Sequence, residues 1–425
     1  MYKRSFSSAC LIMAFMIVSL FLGACSTSVA TVSSSTAPEP VSPEELAQKY
    51  LIVDTHIDVP YRIERKFADV TLATETGDFD YPRAKAGGLD ALFMSIYIPA
   101  AVDALGLPGA ELADRLIDLV EDIAKRAPDK FEVAHCTRDV LEAHAAGKIA
   151  MPMGMENGGP MLLPGNLEHF YNRGIRYVTL AHSKSNAISD SSYDPNEAHQ
   201  GLSSAGVDFI KQLNNYGIMV DISHVSDKAF WQAIEVSSVP VIASHSSARH
   251  FTPGFQRNMD DDMIKALGAQ GGVIQINYGS SFVTTKAQDY GKAMREFGEQ
   301  FLKDNAVDEN SETFKAASAQ YKLDKPYPFA SLSDVLDHFD HVVALIGIEH
   351  VGIGSDYDGV GDSLPIGLKD VSSYPNLIGG LQDRGYNVDQ IALILGGNLM
   401  RVWQAVEAYA TSVTGNPADC LNPAG

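Results

Sequence analysis

From Glu44 onward, short apolar runs alternate with amphipathic stretches, and nearly every run ends in a polar side chain with chemistry to offer. The runs are LIVDTHIDV at 51, ALFMSIYIP at 91, IAMPMGMEN at 149, IRYVTLAHS at 175, IMVDISHVS at 218, VPVIASHSS at 239, GGVIQINYG at 271 and HVGIGSDYDG at 350. Apolar strands separated by helical stretches are the pattern of a parallel α/β protein, whose strands are buried on both faces. Eight of them predict a (β/α)8 barrel of TIM type over residues 46–412, with a doubly wound open sheet as the other arrangement. Helices are expected at Ala110–Arg126, with apolar residues at Leu112, Leu116, Leu119, Val120 and Ile123, and at Asp208–Tyr216. The stretch 280–328 between strands seven and eight is long for a connection and carries its own helical pattern at Tyr290–Asp304, so it reads as an insertion that caps the mouth, forms a dimer contact or lies on the surface.

Composition narrows the function classes. Hydrophobic residues make up 45% of the 425, which excludes a disordered chain. Acidic residues number 53 against 32 basic, a formal charge of −21, and a field of that sign repels phosphate backbones, so nucleic acid is not an expected partner. The four cysteines form no C-x-x-C pair, so a metal must sit on His, Asp and Glu.

The N-terminus reads as an export signal. Lys3 and Arg4 precede an apolar run from Leu11 to Leu22 that is too short to span a bilayer. It ends in Leu22-Gly23-Ala24-Cys25, which resembles the lipobox of bacterial lipoproteins, in which Cys25 would be acylated after removal of residues 1–24. A polar, proline-containing stretch follows, and residues 25–45 read as a tether; residues 413–425 read as a tail. Cleavage removes Lys3 and Arg4 and no acid, leaving −23, so attachment to a membrane must come from the lipid. Ser26 after the cysteine points to the periplasmic face of an outer membrane. Cys136 and Cys420 can pair or stay free in such a compartment.

In a barrel the strand ends converge on one mouth, where active sites of this fold are built. In chain order these ends offer His56 and Asp58, then Tyr97, Glu156, His182, His224, His245, Asn277 and Asp356. His56 and Asp58 are separated by one residue, which on a strand puts both on one face. His224 and His245 lie one βα unit apart and should be neighbours at the rim. Glu156 falls between these pairs in chain order, and its two oxygens can bridge two ions. Imidazole and carboxylate without thiolate suit zinc best.

The stretches DTHID at 54, GMENG at 154, TLAHS at 179, DISHVS at 221, IASHSSA at 242, QRN at 256 and GSDYDGV at 354 together resemble the membrane dipeptidase (renal dipeptidase) family, peptidase family M19, among the amidohydrolase-like barrels. The segments GLKDVSSYP at 367 and GGNLMRV at 396 are also similar. The resemblance implies a zinc-dependent dipeptidase with two Zn2+ per chain. His56 and Asp58 would hold the first ion and His224 and His245 the second, bridged by Glu156 and a hydroxide that attacks the peptide bond. It also implies that His182 contacts the scissile carbonyl, that Arg257 holds the dipeptide's terminal carboxylate, that Asp356 rather than Asp358 is the acid/base, and that the protein dimerises. Arg249 offers a second cation near Arg257. Two other readings stand beside this one: a barrel of the same build that opens cyclic amides or lactams, and a non-catalytic surface lipoprotein that binds a solute or metal.

Overall fold

A computed structural model describes residues 41–415. The export signal, Cys25, most of the tether and Cys420 lie outside the described residues. The strands are β1 Ile52–Ile57, β2 Leu89–Tyr97, β3 Phe131–Val133, β4 Ile149–Met151, β5 Met153–Glu156, β6 Ile175–Thr179, β7 Met219–Asp221, β8 Ile242–Ser246, β9 Val273–Ile276 and β10 Val351–Ile353. All pairings among them are parallel, in the order β1-β10-β9-β8-β7-β6-β5-β2, and β2 pairs back to β1. Eight strands therefore close into a barrel, and the open doubly wound sheet is excluded.

Two details differ from the eight apolar runs. The third run is interrupted at Pro152, which has no N–H for a ladder, so it forms two pieces, β4 on β2 and β5 between β2 and β6. The short segment β3, outside the eight runs, pairs with β4 beyond the barrel wall; three residues are too few for an apolar pattern to register. The expected helices appear as Leu107–Arg126 and Ser204–Tyr216, the second capped by the Ser203 side chain on the Gly206 N–H.

The chain is ordered into the barrel domain on both sides of 46–412. A helix at Pro43–Lys49 starts from a Ser42/Glu45 capping box and buries Leu46 and Ala47, and the last helix runs Asn398–Thr414. That last helix contributes Leu399, Val402, Trp403 and Val406 to a core with the inward residues Val53, Phe93, Tyr177, Met219, Ile242 and Val273. Trp403 meets Phe93 with ring centroids 5.1 Å apart, and Phe93 meets Tyr177 at 5.2 Å, so an aromatic column fills the barrel interior below the site.

The insertion is helical: Ser280–Val283, Thr285–Asn305 and Glu312–Asp324. The two longer helices pair through Phe297 on Tyr321 and Phe301 on Phe314, yet only Ala287 and Gly298 are buried in the first and none in the second. Cys136 is disulfide-bonded.

Candidate metal centre and active site

The polar residues singled out at the strand ends gather at one mouth, though several lie just past their strands. Tyr97 and Glu156 are the last residues of β2 and β5, and His245 lies within β8. Asp58 has left β1 and stands at the N-terminus of helix Val59–Arg65 with φ −88°, so its approach to His56 comes from a turn and not from strand alternation. His182 lies three residues past β6 and Asp356 three past β10. His224 and Asp356 adopt φ of +70° and +62°. Left-handed backbone at non-glycine residues costs on the order of 1–3 kcal/mol and persists where the surroundings dictate it.

Glu156 is the centre of the cluster. Its Oε2 lies 3.6 Å from His56 Nε2, and His56 Nε2 lies 3.5 Å from Asp58 Oδ2. Its Oε1 lies 3.2 Å from both His224 Nε2 and His245 Nε2, and 3.6 Å from His182 Nε2. The two carboxylate oxygens thus face different groups, His56 with Asp58 on one side and His224 with His245 on the other. His224 Nε2 and His245 Nε2 are 2.8 Å apart, as expected of neighbours on consecutive strands. Asp356 joins the first group, with one donor atom each from His56, Asp58 and Asp356 within 4.8 Å of one another.

The residues behind the ligands test whether this cluster fits a metal. Ser244 Oγ donates to Asp221 Oδ2 at 2.7 Å and so presents its lone pairs to His245 Nδ1, also at 2.7 Å. The Nδ1 must carry the proton, and Nε2 turns a lone pair into the cluster. Asp221 is itself held by the Ser223 and Ser244 N–H groups and the Thr179 hydroxyl. On the other side His56 Nδ1 meets Tyr177 Oη at 2.7 Å, while His56 Nε2 is buried and has no hydrogen-bond partner. An orphaned imidazole nitrogen beside two carboxylates, and two imidazoles converging on a third oxygen, form a donor set for divalent cations, with outer partners fixing each ring. The residues fit.

Tyr177, Ser244 and Asp221 escaped the sequence reading as site residues. The signal available was period-two alternation: Tyr177 and Thr179 share the inward face of β6. Gly154 makes room for this arrangement, because a Cβ there would lie 2.0 Å from the Tyr177 ring. The glycine of GMENG thereby lets Tyr177 cross the barrel to His56.

Around the centre lies a cavity of about 610 Å³, walled by Tyr61, Arg65, Tyr97, Tyr193, Phe282 and Val360 and reaching the cluster. The insertion touches the site through Ser281 and Phe282; the helical pair beyond them does not line the cavity. Asp356 Oδ2 accepts from Asn277 Nδ2 at 2.7 Å. Asp358, two residues on, also borders the cavity, but its carboxylate is engaged elsewhere: it pairs with Arg62 Nε at 3.3 Å and accepts the Asp78 N–H. Arg257 is 3% exposed; its guanidinium donates to Ser246 Oγ at 2.7 Å and the His245 carbonyl at 2.8 Å, and it has no carboxylate partner among the described residues. Arg249 does not add a cation to the site. It forms a forked pair with Asp227 at 2.6 and 2.8 Å, which neutralises it and ties down its loop. Arg65, missed in the sequence, is the arginine that does line the cavity.

Protonation follows from burial and neighbours. Burial, together with the charges of Arg257 and His182, holds His224 well below the usual imidazole range, and burial with His56 and Arg257 does the same for His245. Both rings are neutral and ready to coordinate. Burial also pushes the Asp356 carboxyl up to about 7, with the nearby Asp58 and Glu156 charges adding to it against His56 and Arg257.

A family model for membrane dipeptidase (peptidase family M19) matches residues 42–416. Among characterised sequences, dipeptidase tcpJ of Claviceps purpurea is 33% identical over 349 residues, covering 80% of this chain and 72% of the relative. Dipeptidase aclJ of Aspergillus oryzae is likewise 33% identical, over 79% and 72%. Among solved structures, the probable dipeptidase PvdM of Pseudomonas aeruginosa superposes with a TM-score of 0.72 at 25% identity, covering 86% of this chain and 98% of that one. A metallo peptidase of Rhodobacter sphaeroides, liganded with a phosphinate mimic of the dipeptide L-Ala-D-Ala, shares the fold with a TM-score of 0.68 at 23% identity, over 84% and 99%.

Proposed function

The chain belongs to the membrane dipeptidase family, peptidase family M19, and is a metal-dependent enzyme with dipeptidase activity; on that footing we propose that it cleaves dipeptides with two zinc ions, one held by His56 and Asp58, the other by His224 and His245, with Glu156 between them. The observation that carries this reading is the orientation of Glu156, whose Oε2 faces His56, itself beside Asp58, while its Oε1 faces the imidazoles of His224 and His245.

Two such ions, when bound, polarise a carbonyl and bring the pKa of a water from about 15.7 toward 7, so that hydroxide is available as nucleophile at neutral pH. The chain supplies the rest. Asp356, oriented by Asn277, accepts the proton of the attacking water and delivers it to the leaving amine. His182, 3.6 Å from Glu156, donates from the cavity wall to the oxygen of the tetrahedral intermediate, a contact whose loss typically costs about 100 to 1000-fold in rate. Arg257, a buried cation without a carboxylate partner among the described residues, receives the substrate's C-terminal carboxylate, which limits substrates to one residue past the scissile bond.

The N-terminal segment supports an envelope lipoprotein anchored through Cys25, with the barrel on the periplasmic face of an outer membrane. Replacing Cys25 by Ser should release the enzyme into the soluble fraction, and a variant that stays with membranes would remove the anchor.

The catalytic reading is tested by counting zinc in the purified protein and assaying L-Ala-D-Ala, an L,L dipeptide and a cyclic imide side by side. About two ions per chain and turnover of a dipeptide are expected. Full turnover with a single ion, or imide opening without dipeptide cleavage, would overturn it.

A further inference from the structure

A second group of metal-ligating side chains lies outside the cavity. His250 sits on the turn Arg249–Phe251 after β8, Asp261 is the first residue of helix Asp261–Ala269, and His341 lies on helix Leu332–Ile346. His341 Nε2 is 2.7 Å from Asp261 Oδ1, and the His250 and His341 rings stack with centroids 4.4 Å apart. One donor atom from each residue lies within 4.8 Å of the other two. None of the three lines the cavity of the proposed dipeptidase site.

An ion pair accounts for His341 with Asp261 and leaves His250 unexplained. His250 is exposed, and its contacts among the described residues are with the rings of Phe251 and His341. Two imidazoles held face to face beside one carboxylate gain little from each other. As ligands, the same three groups supply three protein donors of the kind zinc accepts, with further positions open to water. The His341 side chain is 16% and the Asp261 side chain 40% exposed, so the site is reachable from solvent.

We propose that His250, Asp261 and His341 form a third divalent-cation site, of the zinc class, separate from the centre around Glu156. An ion there joins the loop after β8 to the helix after the insertion. That loop carries Arg257, and it is already tied to the same helix one turn earlier, where His338 Nδ1 accepts the Ala248 N–H at 3.0 Å. The third ion thus clamps the segment that positions the carboxylate-binding arginine.

The test compares the mature protein with its His250→Gln and His341→Gln variants. Each is titrated with Zn2+ by calorimetry, the zinc per chain is counted, and Tm is followed with added Zn2+. The wild type is expected to take up one more Zn2+ than either variant, and the rise in Tm that accompanies this last equivalent is expected in the wild type alone. His341→Gln breaks the bond to Asp261 and can weaken the fold; His250→Gln, at an exposed residue, leaves that bond in place and decides the question by itself. Equal uptake by wild type and His250→Gln would overturn the proposal. Because the readout is a difference, it holds whatever number of ions the centre around Glu156 binds.

Discussion

The column from Trp403 through Phe93 and Tyr177 to His56 makes a sharp prediction at a residue that touches no substrate. In Gly154→Ala, the new Cβ would lie 2.0 Å from the Tyr177 ring carbon that bears the hydroxyl, and 2.2 and 2.3 Å from its neighbours. Ordinary contact begins near 3.4 Å. The ring cannot drop, because Phe93 and Trp403 fill the space beneath it. It must move aside by more than the 2.7 Å bond to His56 Nδ1 can tolerate. Overpacking of this kind costs about 1–3 kcal/mol, and leaving a buried nitrogen unpaired costs a further 1–3 kcal/mol or so. Freed from Tyr177, His56 can turn, and the loss of such an outer partner weakens metal binding by about 10 to 100-fold. Competition against a chelator reads the zinc affinity, and urea unfolding of the metal-free protein reads the stability. Tyr177→Phe isolates the hydroxyl: it should weaken zinc binding similarly with a smaller loss of stability. If Gly154 acts through Tyr177, the double variant binds zinc no more weakly than the worse single variant. Additive losses in zinc affinity, or wild-type affinity in Gly154→Ala, would refute the column as the support of His56.

Three further outcomes follow from the site and its surroundings. Asp356→Asn should retain zinc and lose turnover by two or more orders of magnitude, since Asn277 still holds the side chain but the proton shuttle is gone; near wild-type kcat would remove Asp356 from the mechanism. Arg257→Met should raise KM for a free dipeptide far more than for the same dipeptide with a C-terminal amide, and equal effects on both would exclude a carboxylate contact. His338 accepts the Ala248 N–H through Nδ1, which leaves Nε2–H to donate to the Val283 carbonyl, so the folded protein needs it neutral. Burial lowers its pKa from 6.5 to about 4. Between those two values the unfolded chain binds a proton that the folded chain refuses, so stability falls as pH drops through this window, by up to about 3 kcal/mol from this residue. His338→Gln, which can make both bonds without titrating, should be less sensitive than wild type to a change from pH 7 to 5 in urea unfolding; an identical loss would show that His338 is not responsible.

Much of this protein was legible before any tertiary structure. Parallel strands buried on both faces must be apolar, so eight apolar runs separated by amphipathic helices point to a barrel, which the pairing of β2 back to β1 decides over an open sheet, and polar residues at the ends of such strands are expected at its mouth. The pairing of His224 with His245 follows from their spacing of one βα unit, whereas His56 and Asp58 do meet but through a turn after β1 and not through the strand alternation that their spacing suggested. What remained hidden depended on register and closure. Tyr177 and His56 are 121 residues apart, and Asp221 and Ser244 are 23 apart; they meet because particular strands pair in a particular register. Arg249 and Arg257 look equivalent in the chain, yet Asp227 neutralises one while the other stays buried with no carboxylate partner among the described residues. The cluster of His250, Asp261 and His341 unites residues 11 to 91 apart on three separate elements. Periodicity is a local property and can be read along one segment; the identity of a side chain's partners across a closed barrel is decided by packing in three dimensions, which no single segment contains.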